Sequence, residues 1–164
     1  MKAIVAVDEN WAIGREGELL VSLPGDLQHF RRVTLGKTVV MGRATLESLP
    51  GGKPLKGRRN LVLSSRLEPG EGYEVASSPE ELFLLLEAGG PAQEEAFVVG
   101  GEQVYRLLLD HCHYIYVTKV EGRFPADKYF PDLDAMPDWE CVQEGPWQEE
   151  NLLRYRFTEY RRKG

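Results

Sequence analysis

Three strand-like runs of the sequence are followed by residues suited to binding phosphate. Gly42-Arg43-Ala44-Thr45 follows residues 37–41, Ser64-Ser65-Arg66 ends residues 59–64, and Gly100-Gly101-Glu102-Gln103 follows residues 96–99. Guanidinium and hydroxyl groups bind phosphate oxygens, and glycine allows backbone amides to approach them closely. Because ligands of open α/β sheets bind beyond the carboxyl ends of the strands, these segments predict a dinucleotide site at one sheet edge.

The number of cationic and hydroxyl groups refines this prediction. They exceed what one diphosphate needs, which favours a dinucleotide with an additional 2′-phosphate. The alternative is that the segments are ordinary tight turns and surface arginines. A GxGxxG fingerprint and a GxxxxGK[ST] loop are both absent from the sequence, so neither a standard Rossmann site nor a Walker site is indicated.

A single carboxylate, Asp26, lies at the start of a predicted helix, directly after Leu23-Pro24-Gly25. Aspartate often caps helices, so a purely structural role is the first alternative. Phe30 lies four residues further on, hence on the same helix face, so the carboxylate would face an apolar pocket. There it could accept two parallel hydrogen bonds from the N–C–NH2 edge of a flat heterocycle, and burial would raise its pKa.

Alternating strand and helix patterns would position these residues. Runs rich in β-branched residues predict strands at 2–8, 37–41, 59–64, 73–76, 96–99, 113–120, 139–144 and 152–161. Helical spacing and capping residues predict helices at 26–35 and 102–112, and a third that begins after Ser78 and closes at Gly89-Gly90. The pattern predicts an α/β fold with a mostly parallel sheet and a C-terminal antiparallel hairpin. Without a repeat or long linker, we expect residues 1–164 to form a single domain.

Composition limits the classes of function. Among 164 residues, 20 are Lys or Arg and 26 are Asp or Glu, a net charge of −6, whereas general nucleic-acid binding requires a basic surface. The five apolar residues that precede Asp8 are too few for a signal peptide or a membrane span. We therefore expect a cytoplasmic protein that binds neither nucleic acid nor membrane, with Cys112 and Cys141 reduced.

The histidines do not indicate a metal centre. His29, His111 and His113 form no recognisable ligand set with the two cysteines, so no metal site is predicted. His29 is expected on the surface of its helix.

One set of residues, in its order along the chain, resembles the dihydrofolate reductase family. The matching positions are Ala6, Ile13-Gly14, Leu23-Pro24-x-Asp26, Phe30, Val40-Met41-Gly42-Arg43-x-Thr45, Leu55-x-Gly57-Arg58-x-Asn60, Leu63-Ser64-Ser65, Val99-Gly100-Gly101, Tyr105 and Thr118. The resemblance covers essentially the whole chain. It implies a mixed, mostly parallel eight-stranded sheet with flanking helices, in a monofunctional reductase of the bacterial chromosomal type that acts as a monomer.

The resemblance also implies substrate contacts. Asp26 would hold N3 and the 2-amino group of the pterin, with Thr118 hydrogen-bonded behind it, and Arg58 would bind the α-carboxylate of the glutamate tail. The residues implied to line the pterin and aminobenzoyl pocket are Val5, Leu27, Phe30, Leu49, Leu55 and Val99.

The implied cofactor is NADPH. Its nicotinamide side and covering loop would comprise Ala6, Ile13, Gly14 and Leu19, and Arg66 would assist at the 2′-phosphate. The remaining implied contacts are Gly42, Arg43, Ala44, Thr45, Leu63, Ser64, Ser65, Gly100, Gly101, Glu102, Gln103, Val104 and Tyr105. The implied reaction transfers hydride from nicotinamide C4 to C6 of 7,8-dihydrofolate, with N5 protonated through water. It yields 5,6,7,8-tetrahydrofolate for one-carbon metabolism and thymidylate synthesis, and folate analogues would inhibit it.

The sequence departs from the family pattern at three positions. Val21 stands where the family usually has a tryptophan, whose indole N–H commonly fixes a water near pterin O4 and the acid. Ala126 replaces a glycine that precedes the equivalent of Asp127 in some relatives. Glu102 replaces a third glycine found in some members, and its carboxylate would repel a pyrophosphate unless the side chain turned away.

Two other functions are alternatives. A related reductase could act on a pyrimidine or a different pterin, as in riboflavin synthesis, but such enzymes lack Leu23-Pro24-x-Asp26 and the Arg58 contact. A non-catalytic module could have kept NADPH affinity and lost turnover, although Asp26 and Thr118 argue against that alternative.

Overall fold

A twisted sheet flanked by helices forms the centre of the fold. A computed structural model describes residues 1–89 and 95–164. Its strands are β1 (Lys2–Val7), β2 (Ala12–Arg15), β3 (Glu18–Leu19), β4 (Thr38–Gly42), β5 (Arg59–Leu63), β6 (Tyr73–Ala76), β7 (Phe97–Gly100), β8 (Tyr114–Val120), β9 (Lys128–Tyr129), β10 (Trp139–Glu144), β11 (Gln148–Glu150) and β12 (Leu153–Arg162).

Within the described residues, two sheets are present. Eight strands follow the order β10-β12-β8-β1-β7-β4-β5-β6, and β11 pairs with β12 as a ninth strand. Each neighbouring pair from β8 to β6 in that order is parallel, whereas β12 is antiparallel to β8, β10 and β11. The carboxyl ends of β1, β4, β5, β7 and β8 therefore share one edge. A small sheet, β3-β2-β9, lies outside the main one.

Four α-helices connect the strands in the described part of the chain: α1 (Pro24–Thr34), α2 (Arg43–Ser48), α3 (Pro79–Ala88) and α4 (Glu102–Leu108). The Ser78 hydroxyl caps α3 by accepting the N–H of Glu81, and Gly89 follows its last turn. Gly90, the other residue predicted to close α3, lies outside the described residues. The helix predicted at 102–112 ends earlier, because a 3-10 turn at Leu109–His111 replaces its last part.

Two apolar clusters pack against opposite faces of the main sheet. The cluster on the α4 side contains Val5 and Val7 of β1 with Leu82 of α3 and Leu108 of α4. The cluster on the α1 side contains Ile4, and its partly buried members are Phe30, Val33, Leu49, Leu55, Leu67, Tyr73, Val99 and Tyr116. Because alternate residues of a strand point to opposite faces, β1 contributes to both clusters.

The predicted fold class is confirmed, and every predicted main-sheet strand is present within about one or two residues of its expected bounds. The short strands β2, β3, β9 and β11 were not predicted. His29 also differs from its expected surface position, because it is half-buried and its ring stacks on Phe157 with centroids 4.0 Å apart.

Candidate active site

Asp26 lies in the first turn of α1 and faces β8. The Thr118 hydroxyl donates a hydrogen bond of 2.6 Å to Asp26 Oδ1, and Thr118 pairs in register with Ala6 of β1. Burial raises the pKa of Asp26, while the Thr118 hydrogen bond opposes that rise. The predicted pair of Asp26 and Thr118 is thus brought together at the carboxyl-end edge of the sheet, with a carboxyl group that holds its proton more strongly than usual.

The first turn of α1 has no side-chain cap of its own, since its N-cap is Leu23. Glu150 of β11 supplies one instead, because its Oε1 accepts the Gly25 N–H at 2.9 Å. Burial raises the pKa of Tyr155, and the carboxylates of Glu150 and Asp26 raise it further, Glu150 also through a hydrogen bond. A methyl group at Gly25 would collide with the Tyr155 hydroxyl. Residues from the C-terminal strands therefore fix the turn that carries Asp26.

Two adjoining cavities lie at this edge. A small one of about 40 Å³ is lined by Asp26, Leu27, residues 19–23 and Phe124. A larger cleft of about 630 Å³ runs along the ends of β4, β5 and β7. Ala6, Ile13 and Leu19 line both, so the Asp26 carboxyl group stands beside the end of the larger cleft.

Most residues predicted to line the substrate pocket are grouped on the α1 side. Phe30, Leu49, Leu55 and Val99 pack against one cluster, and Leu27, which is 52% exposed, borders the small cavity. Val5 differs: it borders the larger cleft but packs in the α4-side cluster. Ile4 instead packs with Phe30 and Leu55, because adjacent strand residues point to opposite faces.

Arg58 is held in place by its own surroundings. Its Nη1 donates to Thr34 Oγ1 at 3.2 Å, and its Nε and Nη2 donate to the Lys56 carbonyl oxygen at 2.9 and 2.8 Å. Partial burial lowers the pKa of the guanidinium, and the charge of Arg31 lowers it further. A cationic group oriented in this way is preorganised for a carboxylate.

The larger cleft brings the three phosphate-binding segments together. Its lining includes, from the predicted cofactor residues, Ala6, Ile13, Gly14, Leu19, Gly42, Arg43, Ala44, Thr45, Leu63, Ser64, Ser65, Gly100, Gly101, Glu102, Gln103, Val104 and Tyr105. Arg66 is exposed just beyond Ser65 and is not part of the lining. Sequence reasoning did not identify Glu18 and Lys128, which also line the cleft.

Glycine is required where two of these segments meet. Gly100 has φ of 132°, a conformation that side chains disfavour, and a Cβ there would lie 3.3 Å from Thr45 Oγ1. A Cβ at Gly101 would lie 3.6 Å from the same atom. The Thr45 hydroxyl and the bare backbone of residues 100–101 thus form one continuous surface in the cleft.

Tyr105 fixes this wall to β1. Its buried hydroxyl donates to the Ile4 carbonyl oxygen at 2.7 Å. Burial strongly raises the pKa of Tyr105, with smaller contributions from Asp26 and Cys112. The hydroxyl therefore stays protonated as a donor, and Tyr105 acts through position rather than by titration.

Residues 12–19, which form β2 and β3, make a covering hairpin over the cleft. Gly14, Gly17, Glu18 and Leu19 of this hairpin line the cleft. Asp127 fastens the hairpin, since its Oδ2 accepts the Glu16 N–H at 3.0 Å and its N–H donates to the Gly14 carbonyl oxygen at 3.0 Å. The fastening needs the Asp127 carboxylate but no glycine before it.

The other two departures from the family pattern have simple structural outcomes. Val21 packs beside Leu23, Val120 and Tyr155 and borders the small cavity near Asp26. Glu102 lines the cleft, and its Oε2 accepts the Tyr129 N–H at 2.6 Å. The carboxylate therefore has a backbone N–H donor that partly offsets its negative charge.

Within residues 1–89 and 95–164, no group of His, Cys, Asp and Glu side chains is arranged to hold a metal ion. No helix in those residues is both long enough and apolar enough to span a membrane.

Comparison with known proteins agrees with this arrangement. Residues 1–162 match the family model described as dihydrofolate reductase. The chain is 36% identical over 163 residues to a dihydrofolate reductase of Bacillus subtilis, covering 98% of this chain and 93% of that protein. It is 36% identical to one of Staphylococcus aureus, covering 99% and 98%, and 42% identical to a type 3 dihydrofolate reductase of Salmonella typhimurium, covering 94% and 93%. Together with the Asp26–Thr118 pair and the glycine-lined cleft, these matches show that the chain belongs to the dihydrofolate reductase family of oxidoreductases.

Proposed function

We propose that this protein reduces 7,8-dihydrofolate to 5,6,7,8-tetrahydrofolate with NADPH as the hydride donor. The observation that carries the proposal is the half-buried Asp26 carboxyl group, hydrogen-bonded to Thr118 beside the end of the large cleft. Its raised pKa suits a group that binds a protonatable heterocycle. Relatives named dihydrofolate reductase, which match nearly the whole chain, support the same substrate.

The residues of the large cleft fit NADPH. The side-chain-free backbone at Gly100 and Gly101 leaves room for a diphosphate beside the Thr45 hydroxyl, and Arg43 adds a cation to the same cleft. The exposed Arg66 and Ser65, at the end of β5, suit a 2′-phosphate. When bound, the cofactor supplies the hydride, and the protein supplies binding, orientation and electrostatics.

Asp26 would orient the pterin. The Thr118 hydroxyl donates to Oδ1, which leaves the outer lone pairs of the carboxylate for the N3–H and the 2-amino group of the heterocycle. Burial raises the pKa of Asp26 because the site disfavours an uncompensated negative charge, so the ionised carboxylate favours the protonated pterin, whose positive charge compensates it. We therefore expect the hydride-transfer rate to fall as the pH rises through that pKa.

The proton for N5 would arrive through water. The small cavity beside Asp26 has a volume of about 40 Å³, which exceeds the space that one water molecule needs. Val21 borders this cavity with an apolar side chain, so the water would be held by the Asp26 carboxyl group rather than by an indole N–H. Arg58 would bind the glutamate tail, at the far side of Phe30 and Leu55.

The chain would act as one domain and as a monomer. One main sheet includes strands from β1 to β12, and the residues of one chain suffice to form both cavities. Light scattering on the purified protein at working concentration should therefore give the mass of one chain, whereas the mass of a dimer would contradict this proposal.

Loss of absorbance at 340 nm with NADPH and dihydrofolate tests the proposed reaction. We expect turnover by the wild-type protein and loss of most turnover at neutral pH in Asp26→Asn, because the amide cannot carry the negative charge that holds the protonated pterin. NADPH affinity should be retained in this variant, since Asp26 lies outside the large cleft. Tight NADPH binding without wild-type turnover would instead favour a non-catalytic module, and near-wild-type rates in Asp26→Asn would contradict the role of the acid.

A further inference from the structure

Glu102 makes a contact that links two walls of the large cleft. It lies in the first turn of α4, directly after Gly101, and lines the cleft. Its Oε2 accepts the N–H of Tyr129, 27 residues away in β9, at 2.6 Å. A hydrogen bond from an N–H to an ionised carboxylate is stronger than one between neutral groups, so this contact favours one relative position of α4 and β9.

The Tyr129 N–H is available to Glu102 because β9 is an edge strand. The small sheet has the order β3-β2-β9, and β9 pairs with β2 only on its inner side, with an irregular register between Ala12 and Gly14. An edge strand leaves every second N–H unpaired on its outer side. Glu102 satisfies one of these groups from the α4 side.

The same short strand is hydrogen-bonded to the covering hairpin through its flanking residues and carries the cationic side chain of Lys128. Asp127, directly before β9, holds Glu16 and Gly14 of the hairpin, and the Phe130 N–H, directly after β9, donates to the Trp11 carbonyl oxygen at 2.8 Å. Lys128 of β9 lines the cleft. Fixing Tyr129 to α4 therefore also fixes the hairpin and the Lys128 side chain relative to the cleft.

The charges in the cleft give Glu102 two states with different consequences for an anionic ligand. While bound to Tyr129, the carboxylate has an N–H donor that partly offsets its charge, and Lys128 lines the cleft beside it. If the hairpin and β9 lifted away, the carboxylate would lose its donor and stand free near the backbone of residues 100–101. A free negative charge within a few ångströms of a diphosphate is unfavourable, so an anionic dinucleotide and the Glu102–Tyr129 contact favour each other.

We propose that Glu102 is a positioning residue that couples binding of NADPH in the cleft to closure of the covering hairpin, acting through the backbone of Tyr129. The coupling rests on the proposed function, since it takes NADPH as the ligand. It is reciprocal: NADPH strengthens the contact, and the contact slows NADPH release.

Glu102→Ala removes the hydrogen-bond acceptor and the charge together, whereas Glu102→Gln removes the charge and keeps an acceptor. The alanine variant removes the acceptor, so in cofactor-free protein we expect amide exchange at Tyr129 to accelerate about tenfold or more. Glutamine keeps an oxygen acceptor, so exchange should stay within about threefold of wild type. Glu80→Ala is the matched control. Glu80 is an exposed carboxylate in the first turn of α3, so its substitution removes the same charge at a distant helix.

The experiment measures amide exchange by NMR, with and without saturating NADPH, together with NADPH dissociation by stopped-flow fluorescence. In the wild type and Glu80→Ala, NADPH should slow exchange at Tyr129 and within the hairpin. In Glu102→Ala that protection at Tyr129 should be largely lost, and NADPH should dissociate several times faster. Circular dichroism should show the same fold in all variants.

Four results would overturn the proposal or separate it from the proposed function. Unchanged Tyr129 exchange in Glu102→Ala would show that the contact does not hold β9. Faster exchange with unchanged NADPH dissociation would show that the contact holds β9 without coupling to the cofactor. Failure of the wild-type protein to bind NADPH would overturn both the cofactor assignment and the coupling, whereas NADPH binding without dihydrofolate turnover would overturn only the proposed reaction.

Discussion

At the scale of single residues, the site depends on a carboxyl group kept in an environment that disfavours its charge. Desolvation of Asp26 is the main cause of its raised pKa, and the single hydrogen bond from Thr118 compensates only in part. Function therefore carries a stability cost, because a buried carboxylate is harder to accommodate than a neutral amide.

The first prediction concerns the stability of Asp26→Asn. The pKa of Asp26 is raised in the folded state above its ordinary value of 3.8, so the folded protein binds the proton more tightly than the unfolded chain. Folding stability from this group is present at low pH and is lost as the pH rises through the raised pKa. Asn cannot ionise, so Asp26→Asn should be more stable than wild type at pH 7.5, with a smaller difference at pH 5. Thermal unfolding at both pH values measures it, and an equal difference at both would contradict the assigned cause.

A second prediction follows from the absence of a side chain at Gly25. A methyl group there would collide with the Tyr155 hydroxyl, and Tyr155 is 3% exposed and cannot move out of the core freely. We expect Gly25→Ala to lower the free energy of unfolding by roughly 1–3 kcal/mol and to reduce turnover by displacing Asp26. Adding Tyr155→Phe removes the hydroxyl and should recover much of the loss in urea unfolding. The absence of any recovery, with Tyr155→Phe alone as the control, would count against this steric explanation.

Residue-level prediction from sequence succeeded where a family resemblance covered the contact and failed where only the tertiary fold brings the residues together. The pairing of Asp26 with Thr118 followed from a family resemblance and is present in the structure. The roles of Glu150 and Tyr155 did not, because they contact α1 only through the tertiary fold. Val5 borders the larger cleft while packing on the α4 side, because adjacent residues of β1 point to opposite faces.

At the scale of elements, α1, the helix that carries Asp26, is capped by a distant strand. The side chain of its N-cap residue Leu23 offers no hydrogen-bond acceptor, whereas the first backbone N–H groups of a helix need one. Glu150 of β11 satisfies the Gly25 N–H. The first turn of α1 and the β11–β12 hairpin are therefore joined as one structural unit, which carries Asp26.

A third prediction tests this unit. Glu150→Ala should destabilise the fold by about 1–2 kcal/mol, as removal of a helix cap does, and should lower kcat/KM for dihydrofolate more than the affinity for NADPH. Glu150→Gln retains an acceptor, so its losses of stability and of kcat/KM should be smaller than those of Glu150→Ala. Glu149→Ala is the matched control, because Glu149 is the exposed neighbour in the same strand. Urea unfolding and steady-state kinetics give the comparison, and equal losses in the alanine variants at 149 and 150 would argue against capping.

The elements that sequence reasoning missed are all short. Central strands such as β4 and β5 were predictable because they are runs of apolar, β-branched residues buried on both faces. β2, β3 and β9 have two to four residues each, and their pairing depends on contacts such as Asp127 with Glu16 rather than on local propensity. The covering hairpin, which borders both cavities, was therefore the least predictable part of the site.

At the scale of the whole molecule, the cations near the cleft matter more for binding an anionic ligand than the net charge of the chain does. The chain carries a net charge of −6, yet Arg43 and Lys128 line the cleft, and the Arg58 guanidinium is held in place by Thr34 and Lys56. Anionic ligands are thus attracted by cations at fixed positions within an acidic protein. Their binding energy adds to the stability of the entire fold, since the unfolded chain does not assemble the site.

The fourth prediction uses that linkage. At 100 times its dissociation constant, NADPH should stabilise the protein by about 2.7 kcal/mol, which corresponds to a rise in Tm of about 5–10 °C for a chain of this size. Arg66→Ala should reduce the NADPH shift at fixed concentration while leaving any shift with NADH unchanged, because only NADPH carries the 2′-phosphate. Differential scanning fluorimetry compares the two cofactors, and an equal reduction for both would rule out a specific 2′-phosphate contact.

The position of Glu150 and Tyr155 late in the chain also has a consequence for biosynthesis. Gly25 and Glu150 are 125 residues apart, so at about 5–20 residues per second the ribosome needs roughly 6–25 s between them. During that interval β8 lacks its β12 neighbour, and the turn carrying Asp26 lacks its cap. A nascent chain should therefore become able to reduce its substrate only once β12 has left the exit tunnel, and any earlier folded state would be catalytically silent.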